Sequence, residues 1–336
     1  MKSNPDETAR PHIERVDASL LKARIVAIRY EARDVLSYVL APLSPDRTLP
    51  AYTPGAHVDV HLNGALMRSY SLSNGLCDAG CYRLTVQRDP KSRGGSIYMH
   101  ENLRPGQEIE ISPPRNNFEL CEDASLSVFI AGGIGVTPFI PMMARLNEVG
   151  RRWRLHYCVR TRERAAFIEE IDKLVAAGQG EARFNFDEEP GAALLDLDKV
   201  IAELPEGAHT YCCGPTGMLH AYQKAAAGLL SERVHFEFFS SDVKAAAEGG
   251  FTVVLQQSGR EVFVKSGETI MQAVRSAGVF VDSSCEEGIC GACETRVISG
   301  EPDHRDMILS ERERAEGKTM MICCSGCKSD RLVLDL

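Results

Sequence analysis

The sequence has no long apolar run, a single tryptophan and fewer basic than acidic residues. No segment approaches the roughly 18 uncharged apolar residues that indicate a membrane-spanning helix. Residues 1–17 are polar and charged, so they lack the apolar core of a secretory signal. The 38 Lys and Arg against 47 Asp and Glu, a net charge of −9, exclude the basic footprint of a nucleic-acid binder. We therefore expect a cytoplasmic protein that binds neither membrane nor nucleic acid.

The 12 cysteines among 336 residues are too sparse for a small disulfide-rich scaffold. Thiols stay reduced in the cytoplasm, where clustered cysteines bind metal or take part in catalysis more often than they form disulfides. The chain is long enough for two or three domains, each able to bury a core. The spacing of the cysteines therefore carries more information than their number.

The pattern along the chain divides it into units. Residues 19–121 contain short strand-like runs between Pro- and Gly-bearing turns, which predict a sandwich or small barrel. From about residue 124, strand-length apolar runs alternate with helical stretches such as 139–149 and 163–176, which predicts a parallel sheet covered by helices. Small polar residues at 240–250 are typical of a linker. The predicted units are a flexible tail (1–18), a β domain (19–121), an α/β domain (122–239), the linker (240–250) and a third domain (251–336).

Four cysteines near the C-terminus have the spacing of a plant-type [2Fe–2S] site. Cys285, Cys290 and Cys293 form a C-x4-C-x2-C run, and Cys323 follows. Two irons bridged by two sulfides need four thiolates, and a tight loop of small residues can supply three while a distant segment returns the fourth. A zinc site, which usually has two closely spaced cysteine pairs, and buried core cysteines are the alternatives. From spacing alone, the fourth ligand stays open between Cys323 and its neighbour Cys324.

Two glycine-bearing turns lie between predicted strands and helices of the α/β domain. The first contains Gly132, Gly133, Gly135 and Thr137. Glycines at such a junction let the backbone approach a pyrophosphate near a helix N-terminus, although a simple tight turn would look the same. The second turn, Cys213-Gly214-Pro215, follows a strand at the sheet edge where open α/β folds bind ligands. Cys212 is expected to point to the other face of the sheet, as a core residue.

Two motifs of the β domain could together hold a flavin. Arg68, Tyr70 and Ser71 lie on one predicted strand and offer a cation, an aromatic surface and a hydroxyl donor. Further along, Gly94, Gly95 and Ser96 offer a backbone that can approach a phosphate and a second hydroxyl. Each motif alone is commonplace, and Tyr70 could equally be an ordinary strand aromatic.

The order of these motifs, flavin, nucleotide and then [2Fe–2S], resembles the phthalate dioxygenase reductase family, in particular its vanillate O-demethylase reductases. The resemblance covers nearly the whole chain beyond the tail. It implies an antiparallel β-barrel flavin domain, an α/β parallel-sheet NAD domain similar to that of the ferredoxin–NADP reductases, and a β-grasp plant-type ferredoxin domain.

The resemblance also implies roles for individual residues. Tyr70 would pack on the flavin ring, Ser71 would donate a hydrogen bond near the flavin N5 atom, and Cys213 would lie beside the nicotinamide. By the same resemblance, Cys323 aligns with the fourth cluster ligand. The remaining implied cofactor-binding positions are Arg68, Gly94, Gly95 and Ser96 for the flavin and Gly132, Gly133, Gly135, Thr137, Gly214 and Pro215 for the pyridine nucleotide.

The cofactors that the resemblance implies are FMN, NADH and a [2Fe–2S] cluster. The glycines do not decide between FMN and FAD, and Arg160, Arg162 and Arg164 leave NADPH open because they could bind a 2′-phosphate or form a solvated face. The expected reaction passes a hydride from NADH to FMN and then single electrons through the cluster to a Rieske-type aromatic oxygenase or O-demethylase. A diiron hydroxylase or ferric compound as acceptor, or a redox-sensing interaction protein, are the alternatives. A monomer is expected.

Overall fold

The computed structural model describes residues 20–44, 46–63, 66–75, 80–90, 94–239, 244–281, 283 and 285–336. The predicted tail at 1–18 and the first part of the predicted linker, residues 240–243, lie outside the described residues. Among those that are described, no helix is long and apolar enough to cross a bilayer.

The first domain is a six-stranded antiparallel sheet that curls into a barrel-like shape. Its elements are β1 (Leu21–Ala32), β2 (Val35–Pro42), β3 (His57–Asn63), β4 (Leu66–Ser71), β5 (Tyr82–Gln87), α1 (Gly95–Asn102) and β6 (Glu108–Ile111). The strands hydrogen-bond in the order β4-β3-β6-β1-β2-β5, and a single bridge between Leu72 and Leu84 brings the two edges together. Alternate side chains such as Val58 and Val60 are fully buried in the core of this domain.

The second domain is a five-stranded parallel sheet with helices on both faces, as predicted. Its elements are β7 (Ser127–Gly132), α2 (Phe139–Glu148), β8 (Arg152–Val159), α3 (Ile168–Ala177), β9 (Gln179–Phe186), α4 (Leu197–Ala202), β10 (His209–Cys213), α5 (Thr216–Ala225) and β11 (Val234–Glu237). The strand order is β11-β10-β7-β8-β9, and β7 is buried along its whole length. Cys212 and Cys213 pack into the hydrophobic cores on opposite faces of the sheet, which fits the predicted alternation.

Helix α3 begins later than the apolar spacing predicts. The prediction was a helix from residue 163, but Arg162–Arg164 form a separate 3₁₀ turn and α3 starts at Ile168. Phe167 interrupts the helix because its φ of 63° is left-handed. Its buried ring lies 4.8 Å from the Arg83 guanidinium of the first domain, so packing against another domain stabilises this backbone conformation. The spacing of apolar residues along the chain cannot predict such a contact between domains.

Ion pairs join the first two domains on this side. Arg83 on β5 donates two hydrogen bonds of 2.8 Å to the carboxylate of Glu170 on α3, and its side chain is only 10% exposed. Two further pairs, Arg33 with Glu163 and Arg164 with Asp34, cross the same boundary. These contacts fix the barrel-like sheet beside the carboxyl ends of the parallel strands.

The third domain is a mixed five-stranded sheet with one helix packed against it. Its elements are β12 (Phe251–Leu255), β13 (Arg260–Val264), α6 (Ile270–Ser276), β14 (Glu294–Ser299), β15 (Pro302–Asp303), α7 (Glu311–Glu316), β16 (Thr319–Met321), β17 (Gly326–Cys327) and β18 (Arg331–Leu334). The order is β13-β12-β18-β14-β16, with β12 and β18 parallel. Thr269 and Gln272 form a capping box that starts α6, and Ile270, Met271 and Val274 bury its inner face. This sheet-and-helix arrangement holds the cysteine loop at one end.

Candidate active site

A cavity of about 330 Å³ lies where the three domains meet. The first domain contributes His57 and Ser71 to its wall, and the second contributes Glu237 at the end of β11. The third domain closes it with Cys285 and Cys290 from the cysteine loop. One open cavity therefore lies between the Arg68–Ser71 strand, the end of β11 and the cysteine loop.

Ser71 and Glu237 face each other across the boundary between the first two domains. The Ser71 hydroxyl donates to a Glu237 carboxylate oxygen at 3.5 Å. Burial raises the pKa of Glu237 to about 8, although the hydrogen bond from Ser71 acts in the opposite direction. Glu237 is thus placed to hold a proton near neutral pH beside Ser71.

Cys213 lies beside Glu237. It pairs in register with Glu237 on the neighbouring strand, so both side chains lie on the same face of the sheet. Burial, followed by the nearby Glu237 charge, raises the pKa of the Cys213 thiol well above its usual value. The thiol is therefore protonated at neutral pH, and it forms a neutral part of the site rather than a nucleophile.

Arg68 and the start of α1 form a second corner on the first domain. Gly94 caps α1 with a left-handed φ of 97°. A Cβ on Gly95 would lie 2.5 Å from the Cγ of Arg68, so only glycine lets the guanidinium side chain cross the helix start. Ser96 accepts a hydrogen bond from the Asp89 amide at 3.1 Å, while Arg93 lies outside the described residues. A helix N-terminus beside an arginine suits a phosphate group.

Tyr70 does not share the cavity with Ser71. Its side chain lies half-buried against the core of the first domain and is not part of the cavity wall. Burial raises the pKa of its hydroxyl, and the charge of Arg68 partly offsets the effect. The structure therefore brings Ser71, Arg68 and the cavity together but leaves Tyr70 out of the cavity wall.

His57 is a buried residue of the cavity wall whose ring has no hydrogen-bond partner among the described residues. It is 5% exposed, and neither ring nitrogen makes a hydrogen bond. Burial, helped by the Arg115 charge, lowers its pKa to about 4, so the ring is neutral and can both donate and accept. An unpartnered buried imidazole is costly unless a ligand satisfies it. This orphaned group and the Arg68 corner fit a ring system with polar edges that carries a phosphate, as a flavin nucleotide does.

The glycines of the first nucleotide turn allow a close contact between the two predicted turns. A Cβ on Gly135 would lie 2.1 Å from the Cys213 carbonyl oxygen, and one on Gly132 would lie 2.5 Å from Pro215. These two glycines therefore let the two predicted turns pack directly on each other, backbone against backbone. Of the glycines in this turn, Gly133 alone has a left-handed φ, at 54°. The structure thus brings the two predicted turns together, and their role in binding the pyrophosphate stays a prediction.

The polar side chains that follow β7 and β8 mostly have partners within the protein. The Thr137 hydroxyl is buried and donates to the Ile134 carbonyl at 2.9 Å. Arg160 lies 3.6 Å from Glu188, and Arg162 lies over the ring of Phe186. Arg164 also forms its interdomain ion pair. These contacts favour a structural role for the arginines over a site for a 2′-phosphate, and so favour NADH.

The four cysteines of the predicted cluster come together as two pairs. The thiols of Cys285 and Cys290 contact each other, and so do those of Cys293 and Cys323. All four are buried. Within the described residues, no three His, Cys, Asp or Glu side chains surround one position for a single metal ion. Two pairs of thiols suit a binuclear cluster with two ligands on each iron better than a mononuclear zinc site.

Backbone amides surround these sulfur atoms. The amides of Glu287 and Ile289 donate to the Cys285 sulfur at 3.3 and 3.4 Å, and the Cys285 amide donates to the Cys290 sulfur at 3.4 Å. The Gly288 amide donates to the Cys323 sulfur. Such donors offset the negative charge of a thiolate-ligated cluster.

Cys324 lies behind the cysteine loop, where its thiol contacts that of Cys323 but belongs to neither pair. Its thiol donates to the Met321 carbonyl at 3.7 Å, and it lies only 2.5 Å from where a Gly288 Cβ would be. Cys324 thus packs behind the loop, which favours Cys323 as the fourth ligand. Gly288 is required at this point for a second reason, since its φ of 72° is left-handed.

Family comparisons agree with this site. Residues 129–224 match the oxidoreductase NAD-binding domain, and residues 253–328 match the 2Fe-2S iron-sulfur cluster binding domain. Together with the fold and the cavity, these matches define the class as an NAD(P)H-dependent flavin iron–sulfur oxidoreductase.

Individual relatives narrow the class further. The chain is 48% identical over 314 residues to the phenoxybenzoate dioxygenase subunit beta of Ectopseudomonas oleovorans, covering 93% of this chain and 96% of the relative. It is 44% identical to the tetrachlorobenzoquinone reductase of Sphingobium chlorophenolicum, over 95% of this chain and 98% of the relative. It is 41% identical to a vanillate O-demethylase oxidoreductase of Pseudomonas sp. strain HR199, over 94% of this chain and 100% of the relative.

Solved structures show the same three-domain arrangement. Phthalate dioxygenase reductase, described as a modular structure for electron transfer from pyridine nucleotides to [2Fe–2S], superposes with a TM-score of 0.72 at 35% identity, covering 95% of this chain and 99% of that one. An intact type IV self-sufficient cytochrome monooxygenase gives a TM-score of 0.83 at 38% identity; it covers 94% of this chain, which spans only 41% of that protein. The chain belongs to the phthalate dioxygenase reductase family. This membership confirms the predicted fold, NAD-binding and [2Fe–2S] domains, and FMN is the flavin that the family implies.

Three residues of the site were not among the sequence predictions. Glu237 left a usable signal, since a carboxylate at the end of the last parallel strand lies at the edge where such sheets bind ligands. His57 left almost none, because it acquires its role only through contacts with distant segments. Asn117 left a weak signal, since the stretch 112–118 resembles that of the vanillate O-demethylase reductases, but the sequence does not predict its contact with Cys290.

Proposed function

We propose that this chain is the reductase component of a two-component Rieske-type aromatic oxygenase or O-demethylase, taking electrons from NADH and passing them to the oxygenase. The observation that carries the proposal is the 330 Å³ cavity, which has Ser71 and Glu237 on one wall and Cys285 and Cys290 on another. A cofactor in this space touches the nucleotide side and the cluster side at once. FMN, when bound, accepts two electrons as a hydride from NADH and releases them singly to the [2Fe–2S] cluster.

The residues of the chain have separate tasks in this proposal. Arg68 and the N-terminus of α1, from Gly94 to Ser96, hold the flavin phosphate. Ser71 donates to the ring edge, and His57 supplies a second polar contact. These contacts orient the flavin ring between the nicotinamide, which is the electron donor, and the cluster, which is the acceptor. They also exclude water from the space between the two.

The nucleotide side positions the nicotinamide. Gly135 allows the Cys213 turn to pack closely against the first turn, and the neutral, buried Cys213 thiol lies beside Glu237, which contacts Ser71. On the other side, Cys285, Cys290, Cys293 and Cys323 hold the irons. We also propose that the protein is cytoplasmic, since its paired thiols require a reducing compartment. We further propose that it is a monomer.

The function is tested by turnover with a partner. The purified holoprotein, NADH and a purified Rieske oxygenase of a vanillate- or phenoxybenzoate-degrading system are expected to form product from the aromatic substrate. The measurement is product formed per NADH oxidised. Omission of this chain is the control. Fast reduction of small acceptors with no product from any Rieske oxygenase would contradict the proposal.

Similarity to a tetrachlorobenzoquinone reductase supports a second candidate, in which a small quinone is the direct acceptor. This candidate predicts saturable quinone reduction that does not need the cluster. A variant without the cluster would then reduce a substituted benzoquinone as fast as the wild type, whereas an oxygenase reductase would lose product formation altogether.

Replacement of Glu237 by glutamine is expected to remove a pH dependence. In the wild type, the rate of flavin bleaching by NADH should fall about tenfold per pH unit above the Glu237 pKa of about 8. Reduction brings negative charge into the cavity, and an ionised Glu237 opposes it. Glutamine imitates the protonated carboxyl group at every pH, so its rate should stay level through the same range.

The measurement is anaerobic stopped-flow absorbance on both sides of pH 8. Glu119→Gln is the matched control, because Glu119 lines the same cavity and its variant should keep the wild-type pH profile. A decline near pH 8 that persists in Glu237→Gln would show that another group titrates.

A further inference from the structure

We propose that Asn117 is a positioning residue, which docks the cysteine loop against the flavin domain and so sets the rate of electron transfer from flavin to cluster. The Asn117 side-chain amide donates to the Cys290 carbonyl oxygen at 3.0 Å, and both residues line the central cavity. A Cβ on Gly291 would lie 3.9 Å from the same amide nitrogen. The inference rests on the proposed function, because it concerns one step of that electron path.

The segment that carries Asn117 is anchored on both sides. Asn116 donates hydrogen bonds of 2.7 Å to the Thr53 hydroxyl and 2.9 Å to the Pro54 carbonyl, both within the first domain. Phe118 is buried, and its ring centroid lies 5.9 Å from that of Phe139 in the second domain. Asn117 is thus an exposed side chain presented by a fixed backbone, so little conformational entropy is lost when it binds the loop.

The other contacts of the cysteine loop differ in kind from this hydrogen bond. Ile289 in the loop and Met307 beside it pack against the apolar core of the second domain, next to Phe238. Apolar contacts of this type are non-directional and tolerate small displacements. A hydrogen bond has narrow limits of distance and angle, so Asn117 supplies the directional contact that fixes the loop relative to the flavin domain.

The electron balance defines which step depends on Asn117. Oxidation of one NADH to NAD⁺ delivers two electrons to the flavin side, and these leave one at a time for the cluster. Each transfer oxidises the donor by one electron and reduces the cluster by one. Asn117 touches the loop of the acceptor and not the nicotinamide turn, so its loss is expected to slow only the second stage.

The test compares Asn117→Ala and Asn117→Asp with the wild-type holoprotein. Aspartate keeps the shape of the side chain but has no N–H to donate. Anaerobic stopped-flow absorbance follows flavin bleaching and cluster bleaching separately after mixing with NADH. We expect both variants to reduce the cluster about fivefold more slowly, the factor that corresponds to about 1 kcal/mol. Flavin bleaching, the KM for NADH and the visible spectrum of the oxidised cluster should remain those of the wild type.

Two further variants complete the design. Asn117→Gln keeps the donor on a longer side chain and should recover part of the lost rate, and Asp123→Asn, an exposed position outside the cavity wall, should match the wild type. The inference is overturned if cluster bleaching is unchanged in both Ala and Asp variants, if only the Asp variant is slow, or if flavin bleaching slows equally. Failure of the wild type itself to pass electrons from flavin to cluster would instead overturn the proposed function.

Discussion

Replacement of Cys323 by serine is expected to abolish the visible absorption of the iron–sulfur cluster while NADH still bleaches the flavin. The Cys323 thiol contacts that of Cys293 and accepts a hydrogen bond from the Gly288 amide, so it completes the second thiol pair. A serine hydroxyl is a much poorer ligand than a thiolate for an iron–sulfur cluster. The flavin corner at Arg68 belongs to another domain and should be unaffected. Iron content and the visible spectrum measure the first effect, and stopped-flow bleaching measures the second.

The matched control is the adjacent Cys324→Ser. The Cys324 thiol is directed to the Met321 carbonyl and packs behind Gly288, so its loss should leave the cluster in place. If Cys324→Ser loses the cluster and Cys323→Ser keeps it, the ligand assignment is reversed. Both residues are buried to a similar degree and receive the same substitution. The two variants therefore compare directly which of the two thiols binds the cluster.

Replacement of Gly135 by alanine is expected to lower kcat/KM for NADH about 100-fold. The new Cβ would lie 2.1 Å from the Cys213 carbonyl oxygen and 2.9 Å from the Gly214 nitrogen. Both neighbours are backbone atoms of the same turn, so the turn must move as a unit. A displacement of about 1 Å at a reacting site costs on the order of 100-fold in rate. Flavin and cluster spectra should persist, since neither the Arg68 corner nor the cysteine loop contacts Gly135. Steady-state kinetics with varied NADH measure the loss.

Gly217→Ala is the control for this variant. Gly217 lies in α5 just after the Cys213 turn, and nothing is within 4 Å of a Cβ added there. Alanine is also the better helix residue by about 1 kcal/mol, so activity should be unchanged. Wild-type kinetics in Gly135→Ala would show that the packing of the two turns is not needed for nicotinamide binding.

The part of the site that could be predicted from the sequence is the part with local spacing. Cys285, Cys290 and Cys293 fall within one loop, and a loop fixes the distances between its own members. The runs 82–87, 108–111 and 209–213, each a short apolar or alternating run ended by turn residues, predict strands with the bounds that β5, β6 and β10 have. The order of the three motif sets along the chain then indicated the family.

The part that could not be predicted depends on contacts between domains. The sequence does not predict that Gly135 packs against the carbonyl of Cys213, which is 78 residues away in the chain. Phe167 breaks the predicted helix under the influence of Arg83. Asn117 is one of two adjacent asparagines, and nothing in the sequence distinguishes the one that reaches Cys290. Such pairings follow from packing, which periodicity does not encode.

The three walls of the cavity are not formed at the same time during synthesis of the polypeptide. Domains fold largely in order as the chain leaves the ribosome. The corner made by Arg68 and Gly95 lies wholly within the first domain, whereas the wall made by Cys290 belongs to residues 251–336. A nascent chain can therefore capture the cofactor phosphate before the last domain exists, and the ring becomes enclosed only when the cysteine loop docks. This order of synthesis allows the flavin to bind before the iron–sulfur cluster is assembled.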